Sequence, residues 1–519
     1  MSSVSPILRR IGVDRSGEAY RVLAVFDTEG ETMVRAARIA YATSDGVDAV
    51  EAETVEEAGG YTRALFRVSG LTPGTEVSYA IAGADSSEAL PDPADLLENA
   101  TYEIHTLPDG GPEQIAVASC NGIERVKDDE ALHVWTDLAG QLDEESEVPD
   151  LLLLCGDQIY ADSIRTDLNR GELESTLDAV TGAYRDRYVH IWARNAIQDV
   201  LSQMPTLMMW DDHDIYNGYG SHDCEKVGDE HQQLLFNGAS TAFDEFQGAP
   251  NPDQLDPGTD ERSYTFETDR VAVVVTDGRT ERNYREGRVL GDAQLQNVLD
   301  KVKSIADQSN SPAHLFLVVG TPFFHVSRKV AQDLAGGTGA LEQAGVRSDV
   351  RDAWVAQNNR DEFEELLNGL FERLESHDVP QLSVVSGDVH VSTAGYIRKE
   401  PTEQKFFQIT SSPIGYHPPE GWKKAALESA TELRDDLVEK YEIEGELKSF
   451  DRSTGELLSH RNYAIVDTRT PSEGVSSSNP TIPLRYRWEK HLGEARDNEM
   501  KELEVRLAPE QTWWDEVFG

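Results

Sequence analysis

The strongest constraint on how this chain folds is a pattern that recurs from residue 115 onward. A solid apolar run is cut off by a polar residue of a type that turns the chain or ligates a metal, and helical periodicity then follows. Ile115 to Ser119 runs into Cys120, Leu151 to Cys155 into Gly156-Asp157, Thr206 to Trp210 into Asp211, and Leu382 to Ser386 into Gly387-Asp388. Val271–Val275, His314–Val319 and Phe406–Thr410 are further runs, and Leu132, Trp135, Leu138 and Leu142 fall at helical spacing between two of them. Strands buried on both faces read this way, so residues 108–519 are expected to form an α/β body.

Residues 1–107 follow a different rule. Short alternating segments at Tyr20–Phe26, Thr32–Tyr41, Thr62–Val68, Glu76–Ile81 and Thr101–His105 are separated by turns such as Leu71-Thr72-Pro73-Gly74, a pattern that predicts a small all-β sandwich. Ala84–Ala94 reads as a loop within it or a link near its end. A chain of 519 residues has room for at least two such cores. Pro250–Arg262 and Thr470–Pro480 read as surface insertions, Leu427–Tyr441 as a helix, and Asn462–Asp467 and Leu484–Trp488 as late strands.

Acidic residues number 95 against 47 basic ones, a formal net charge of −48. Nucleic acids and anionic membranes bind through a Lys/Arg footprint, so a general nucleic-acid or lipid-surface binder is excluded. A hydrophobic content of 39% still supports packed domains, which makes the acidity a surface coat suited to a high-salt habitat rather than a sign of disorder. Three cysteines, Cys120, Cys155 and Cys224, make no disulfide framework, and Arg9-Arg10 is not followed by an apolar segment of signal length. A cytoplasmic location is the expectation.

The strand ends carry the chemistry. Cys120, Asp157 with Tyr160, Asp211-Asp212-His213-Asp214, and Asp388 with His390 all follow apolar runs, and in open α/β sheets the carboxyl ends of strands line the ligand crevice. Taken singly each has a plain structural role: Gly-Asp makes turns, a lone Cys is a small buried hydrophobe, His213 can be a satisfied core histidine, and Tyr160 can simply pack. Four such ends in one domain point to a shared centre. Its mixed set of carboxylate, imidazole, phenolate and thiolate suits a transition metal beside a harder divalent ion.

In order along the chain, Ser119-Cys120-Asn121, Gly156-Asp157-Gln158-Ile159-Tyr160, Trp210-Asp211-Asp212-His213-Asp214, Asp277-Gly278-Arg279 and Ser386-Gly387-Asp388-Val389-His390 resemble the PhoD-like alkaline phosphatases of the calcineurin-like metallophosphoesterase superfamily. The resemblance spans essentially the whole chain. It implies two mixed β-sheets packed face to face and flanked by helices, with an N-terminal immunoglobulin-like sandwich. It implies that Asp157 bridges two metals, that Cys120, Tyr160 and His390 complete the ligands of a ferric ion, and that Asp212 and Asp388 hold a divalent ion. Calcium is the first expectation for that ion, with manganese or zinc as alternatives. His213 resembles the histidine beside the substrate, and Arg279, His325 and Asn121 are candidates for substrate binding. Arg282 and His417 are weaker ones. For Asn121 a turn role, and for Arg282 a surface pairing with Asp277 or Glu281, stand as equal readings.

The implied activity is hydrolysis of small phosphate mono- and diesters by a hydroxide activated at the dinuclear centre. Two alternatives stand beside it: a phosphodiesterase or nuclease, which the net charge disfavours for long polyanions, and a non-catalytic metal-binding interaction module on the same fold. The paired arginines resemble an export signal of the family without its apolar segment.

Overall fold

The computed structural model describes residues 4–507 except 29–32, 86–88, 99, 126–128, 143–147, 222–228, 326–350, 375–380, 400–403, 421–423, 425–426, 429–433, 439–442, 448–456, 470–481 and 490–499. Thr470–Pro480 and Cys224 therefore lie outside the described residues.

Eight strands come first: β1 (Leu8–Val13), β2 (Ala19–Asp27), β3 (Ala36–Thr43), β4 (Gly46–Glu51), β5 (Thr54–Ala58), β6 (Tyr61–Ser69), β7 (Glu76–Ala84) and β8 (Tyr102–His105). They form two antiparallel four-stranded sheets, in the orders β1-β2-β6-β5 and β4-β3-β7-β8. Period-two alternation decides what lies between them. Tyr20, Val22, Ala24 and Phe26 of β2 join Ala64, Phe66 and Val68 of β6 against Ile39 and Tyr41 of β3 and Tyr79 and Ile81 of β7. Each of the five expected segments holds a strand, although the one at Thr32–Tyr41 begins only at Ala36 and its Thr32 lies outside the described residues; β1, β4 and β5 were not anticipated. The Ala84–Ala94 stretch ends where a short helix, Pro93–Leu97, begins.

The body follows with β9 (Gln114–Ala118), β10 (Leu151–Cys155), β11 (Thr206–Met209), β12 (Tyr264–Glu267), β13 (Val271–Val275), β14 (His314–Val318), β15 (Gln381–Ser386), β16 (Thr393–Lys399), β17 (Gln404–Thr410), β18 (Arg434–Val438), β19 (Ile443–Leu447), β20 (Asn462–Asp467), β21 (Ile482–Glu489) and β22 (Met500–Leu507). They build a six-stranded sheet, β11-β10-β9-β20-β21-β22, and an eight-stranded one, β12-β13-β14-β15-β17-β16-β19-β18. Both sheets are mixed: β11-β10-β9 run parallel at one end of the six-stranded sheet, and β13-β14-β15-β17 run parallel through the eight-stranded one.

The solid apolar runs explain the layering. Along β10, Leu151 and Leu153 join a core shared with Val273, Phe316 and Val318 of the other sheet. Leu152 and Leu154 face the other way, against Trp135, Leu138, Tyr184 and Trp192 from helices His133–Leu142 and Leu177–Trp192. On the eight-stranded sheet, Val274 and Leu317 pack on Leu295, Val298, Phe363 and Leu367 of helices Asp292–Ala306 and Arg360–Arg373. The two sheets therefore lie face to face with helices outside, and each such leucine is worth about 2 kcal/mol of burial. Among the described residues no helix is long and apolar enough to cross a membrane.

Two expectations are corrected. Leu427–Tyr441 is not one helix, because Arg434–Val438 pairs antiparallel with Ile443–Leu447 and buries Leu437 and Val438, so sheet pairing overrides local helical preference. Pro250–Arg262 is only partly a surface insertion: Asn251 and Arg262 are buried, and exposure is confined to Asp253 and 257–260. The sandwich presses on this segment so closely that a Cβ at Gly12 would collide with the Pro250 carbonyl.

His314 opens β14 buried near the Phe316 ring, and burial pushes its imidazole down to about 4. The unfolded chain then takes up a proton near pH 6.5 that the native state refuses until about pH 4. Stability is full above pH 6.5 and falls with pH through that window, by about 3 kcal/mol for this group. His314→Leu is expected to flatten the decline of denaturant midpoint with pH between 6.5 and 4 relative to the parent; an unchanged slope would remove His314 from the account.

Candidate metal centre

Among the described residues, four that are not glycine have positive φ: Cys120 at 57°, Asp157 at 57°, Asp388 at 64° and His390 at 55°. Left-handed backbone costs a side chain about 1 kcal/mol or more, and all four of these costs fall at the ends of β9, β10 and β15. The loops are tied together. Cys120 N–H donates to the Gly156 carbonyl at 3.3 Å, Asn121 N–H to that of Asp157 at 2.8 Å, and Ala161 N–H to that of His213 at 2.9 Å. A Cβ on Gly387 would strike the Ser119 side chain, so only glycine lets the end of β15 come this close to the end of β9.

The Asp214 carboxylate organises the floor. It accepts the backbone N–H of Asp157 (2.9 Å), Gln158 (3.1 Å), Ile159 (3.2 Å) and Asp211 (2.8 Å), joining the loops after β10 and β11. Burial raises its carboxyl to about 7 against the pull of these donors.

Three groups of ligating atoms then converge, with the atoms of each within 4.8 Å of one another: Cys120, Asp157 and His390; Asp157, Asp212 and His213; and Asp211, Asp212 and Asp388. The Tyr160 hydroxyl joins the first, 3.4 Å from Asp157 Oδ2 and 3.0 Å from His390 Nε2. Cys120 Sγ lies 3.4 Å from Asp157 Oδ2 and accepts from the Ser412 hydroxyl at 3.2 Å. Asp157 and Asp212 each stand in two of the three groups, and Asp157 is the one that shares a group with Cys120 and His390.

Burial holds the Asp157 and Asp388 carboxyls, the Cys120 thiol and the Tyr160 phenol all well above their ordinary ranges, reinforced by the charges of neighbouring carboxylates. Burial opposes charge on His213 as well, but Asp212, Asp157 and Asp162 outweigh it and raise the imidazole well above 6.5. Asp211 Oδ2 and Asp212 Oδ1 are buried and accept no hydrogen bond. An excess of buried anionic donors with open lone pairs fits cations, with softer S and N donors on one side and carboxylates alone on the other.

The substrate-binding candidates fare differently. Arg279 is fully buried: Nε donates to Asp211 Oδ1, one terminal nitrogen to Asp352 Oδ1 (2.9 Å) and the Tyr219 carbonyl (3.2 Å), the other to Asp352 Oδ2 (2.7 Å). It braces the carboxylates from behind and offers no open fork to a phosphate. Arg282 is also buried and pairs with Asp352 at 2.9 Å, not with Asp277 or Glu281. The Asn121 amide is spent inside the fold, accepting from Trp135 Nε1 at 2.9 Å and donating to the Gln158 carbonyl at 3.3 Å. His325 is buried, with its imidazole pushed down to about 4 by burial, and is in none of the three groups. His417 is exposed beside Arg461, 3.4 Å away.

Sequence reasoning missed four contributors. Asp162 Oδ2 lies 2.8 Å from His213 Nδ1 and orients the ring; its place five residues after Asp157, at a helix start, was the available signal. Tyr416 stacks on Tyr160 (centroids 4.8 Å apart) and on His390 (4.2 Å), walling the first group. Asp214 belonged to a motif already noted but carried no assigned task. Nothing local marked Asp352.

The family model of PhoD-like phosphatases matches residues 115–447, which leaves the sandwich and β20–β22 outside it. A solved structure described as that of PhoD aligns over 96% of this chain and 90% of its own, with a TM-score of 0.62 at 14% identity. A purple acid phosphatase from yellow lupin (Lupinus luteus) seeds aligns over 97% of this chain and 74% of its own, with a TM-score of 0.52 at 11% identity. At these identities the likeness is one of fold. No curated protein matches by sequence.

Removing Asp352 takes the shared carboxylate away from two buried guanidinium groups. Asp352→Ala is expected to lower stability by about 3–5 kcal/mol in denaturant titration; a loss below 1 kcal/mol would show that the Arg279 and Arg282 pairs are not part of the support.

Proposed function

This chain belongs to the PhoD-like phosphatase family and is a phosphoric ester hydrolase; we propose that it cleaves small phosphate mono- and diesters at a two-cation centre held by its strand ends. The observation that carries this is Asp157, which shares one group with Cys120 and His390 and another with Asp212 and His213. In this reading Asp157 would serve both cations. Cys120, Tyr160 and His390 hold the first cation, where anionic sulfur and phenolate favour ferric iron, and Asp212 and Asp388 hold a divalent ion such as calcium. Cations in these places supply Lewis acidity and lower the pKa of water.

The chain's own residues do the rest. Asp162 holds His213 at Nδ1, so Nε2 is the nitrogen that stabilises phosphoryl charge or protonates the departing alkoxide. Tyr416 and Tyr160 confine the imidazole of His390, and the Arg279–Asp352 pair fixes Asp211 beside Asp212. With Arg279 turned inward, attraction of the anionic substrate falls to His213 and the cations. Residues 1–107 are read as an immunoglobulin-like sandwich and 108–519 as the catalytic domain. The acid coat is read as an adaptation to high salt, in which ions screen carboxylate repulsion.

His213→Ala is expected to lower kcat by about 10²–10⁴ with metal content near that of the parent, whereas Asp157→Ala empties both positions. Elemental analysis beside hydrolysis of p-nitrophenyl phosphate and its bis ester distinguishes them; metal loss in His213→Ala would make that histidine a ligand. A ferric-phenolate colour in the parent supports the first assignment, and a colourless, inactive, metal-free protein overturns the reading. The melting temperature should rise from low to molar KCl, and a flat response would sink the salt account.

A further inference from the structure

At the end of helix Asp229–Phe243 the chain makes a π-helical turn, Asp244–Gly248, in which Ala249 N–H reaches back to the Asp244 carbonyl at 2.8 Å. Such turns persist where surrounding contacts stabilise them and are frequent at functional sites. This one is gripped from two directions.

From the sandwich comes Arg10 of β1, fully buried. One terminal nitrogen donates to the carbonyls of Phe246 (2.9 Å) and Gln247 (2.5 Å), the other to Asn251 Oδ1 (2.6 Å) and the Thr206 carbonyl (3.2 Å). Arg63 of β6 adds an ion pair to Glu245, which Arg185 also grips at 2.7 Å. From the metal centre comes Asp214. Gln247, itself fully buried, points Nε2 at Asp214 Oδ1 (3.2 Å) and at the Tyr188 hydroxyl (2.8 Å). The same Asp214 carboxylate receives the four backbone N–H groups of the loops carrying Asp157, Asp211, Asp212 and His213.

We propose that Arg10 and Gln247 are positioning residues for the hydrolytic centre: the N-terminal sandwich holds the π-helical turn, and Gln247 passes that constraint to Asp214 and so to the ligand-bearing loops. The sandwich is thereby a working part of the catalytic body. A guanidinium buried among carbonyl and amide oxygens, with no carboxylate among its hydrogen-bond partners, is a costly way to fasten two domains. Its cost is understandable if the turn must hold a single geometry. The proposal rests on the two-cation reading for its catalytic consequence, but the mechanical link is measurable without metal.

The primary variant is Gln247→Met in the full chain, which keeps the side-chain volume and removes the donor. In chelator-stripped protein, the amides of Asp157, Ile159 and Asp211 are expected to exchange hydrogen about tenfold faster than in the parent, while β13–β14 amides are unchanged. Titrated with Mn2+ or Ca2+, the variant should bind with a Kd about tenfold higher. With p-nitrophenyl phosphate, kcat should fall more than KM changes. Arg10→Met should reproduce these effects and Arg10→Lys, which keeps the charge but not the fork, should recover part of them. If Arg10→Met does not fold, Gln247→Met decides. A folded Gln247→Met with parental amide exchange and parental Kd overturns the proposal, whatever its melting temperature. A parent that binds neither ion overturns the metal reading, while the amide exchange still judges the link.

Discussion

The structure depends on one buried carboxylate more than on any other polar group. Asp214 accepts four backbone N–H groups from two strand-end loops, and no side chain presents its own identity to the site by doing so. What it sets is the path of the chain. Asp157 stands at a φ of 57°, a conformation that would relax toward an ordinary turn without donors pinned on its far side. Burial makes the ionised carboxylate expensive, and the N–H dipoles around it offset that expense.

A second constraint is charge. Buried Asp157, Asp211, Asp212 and Asp352 and half-buried Asp388 lie together with two guanidinium groups and the imidazoles of His213 and His390. Both arginines stand behind the cradle and converge on Asp352, which leaves Asp211 Oδ2 and Asp212 Oδ1 without protein donors. The protein therefore neutralises one side of its acidic cluster and leaves the other side, in the proposed reading, for cations. The arginines hold the shape of the cluster, and the two open oxygens are the ones that accept no hydrogen bond.

The architecture was largely readable because both periodicities are strong. Apolar runs such as Leu151–Cys155 cannot alternate, so they require cover on both sides, and sandwich strands such as β2 split their residues at period two, Val22 and Ala24 to one core and Leu23 and Val25 to another. Several strands escaped, and two cases show why. Exposed strands such as β4 and β5 carry little apolar signal, and β18 forms because β19 pairs with it, which no local property of Arg434–Val438 announces.

The residues that gather in the centre were legible for the same reason: a polar, ligating side chain directly after a buried strand has few other places to be. Cys120, Asp157, Asp212, His213, Asp388 and His390 gather where the strand ends meet. Which polar groups remain open was not legible. Arg279 and Asn121 have the right chemistry to meet a phosphate, yet their donors are taken by Asp352, Asp211 and the Gln158 carbonyl. Partners such as Asp352 and Asp162 arrive from other elements, and a hydrogen bond made across 73 residues leaves no trace in local sequence. Residue types and strand periodicity thus determined where ligating groups would appear. Only tertiary packing decided which of them are consumed as support, because that depends on who else is buried beside them.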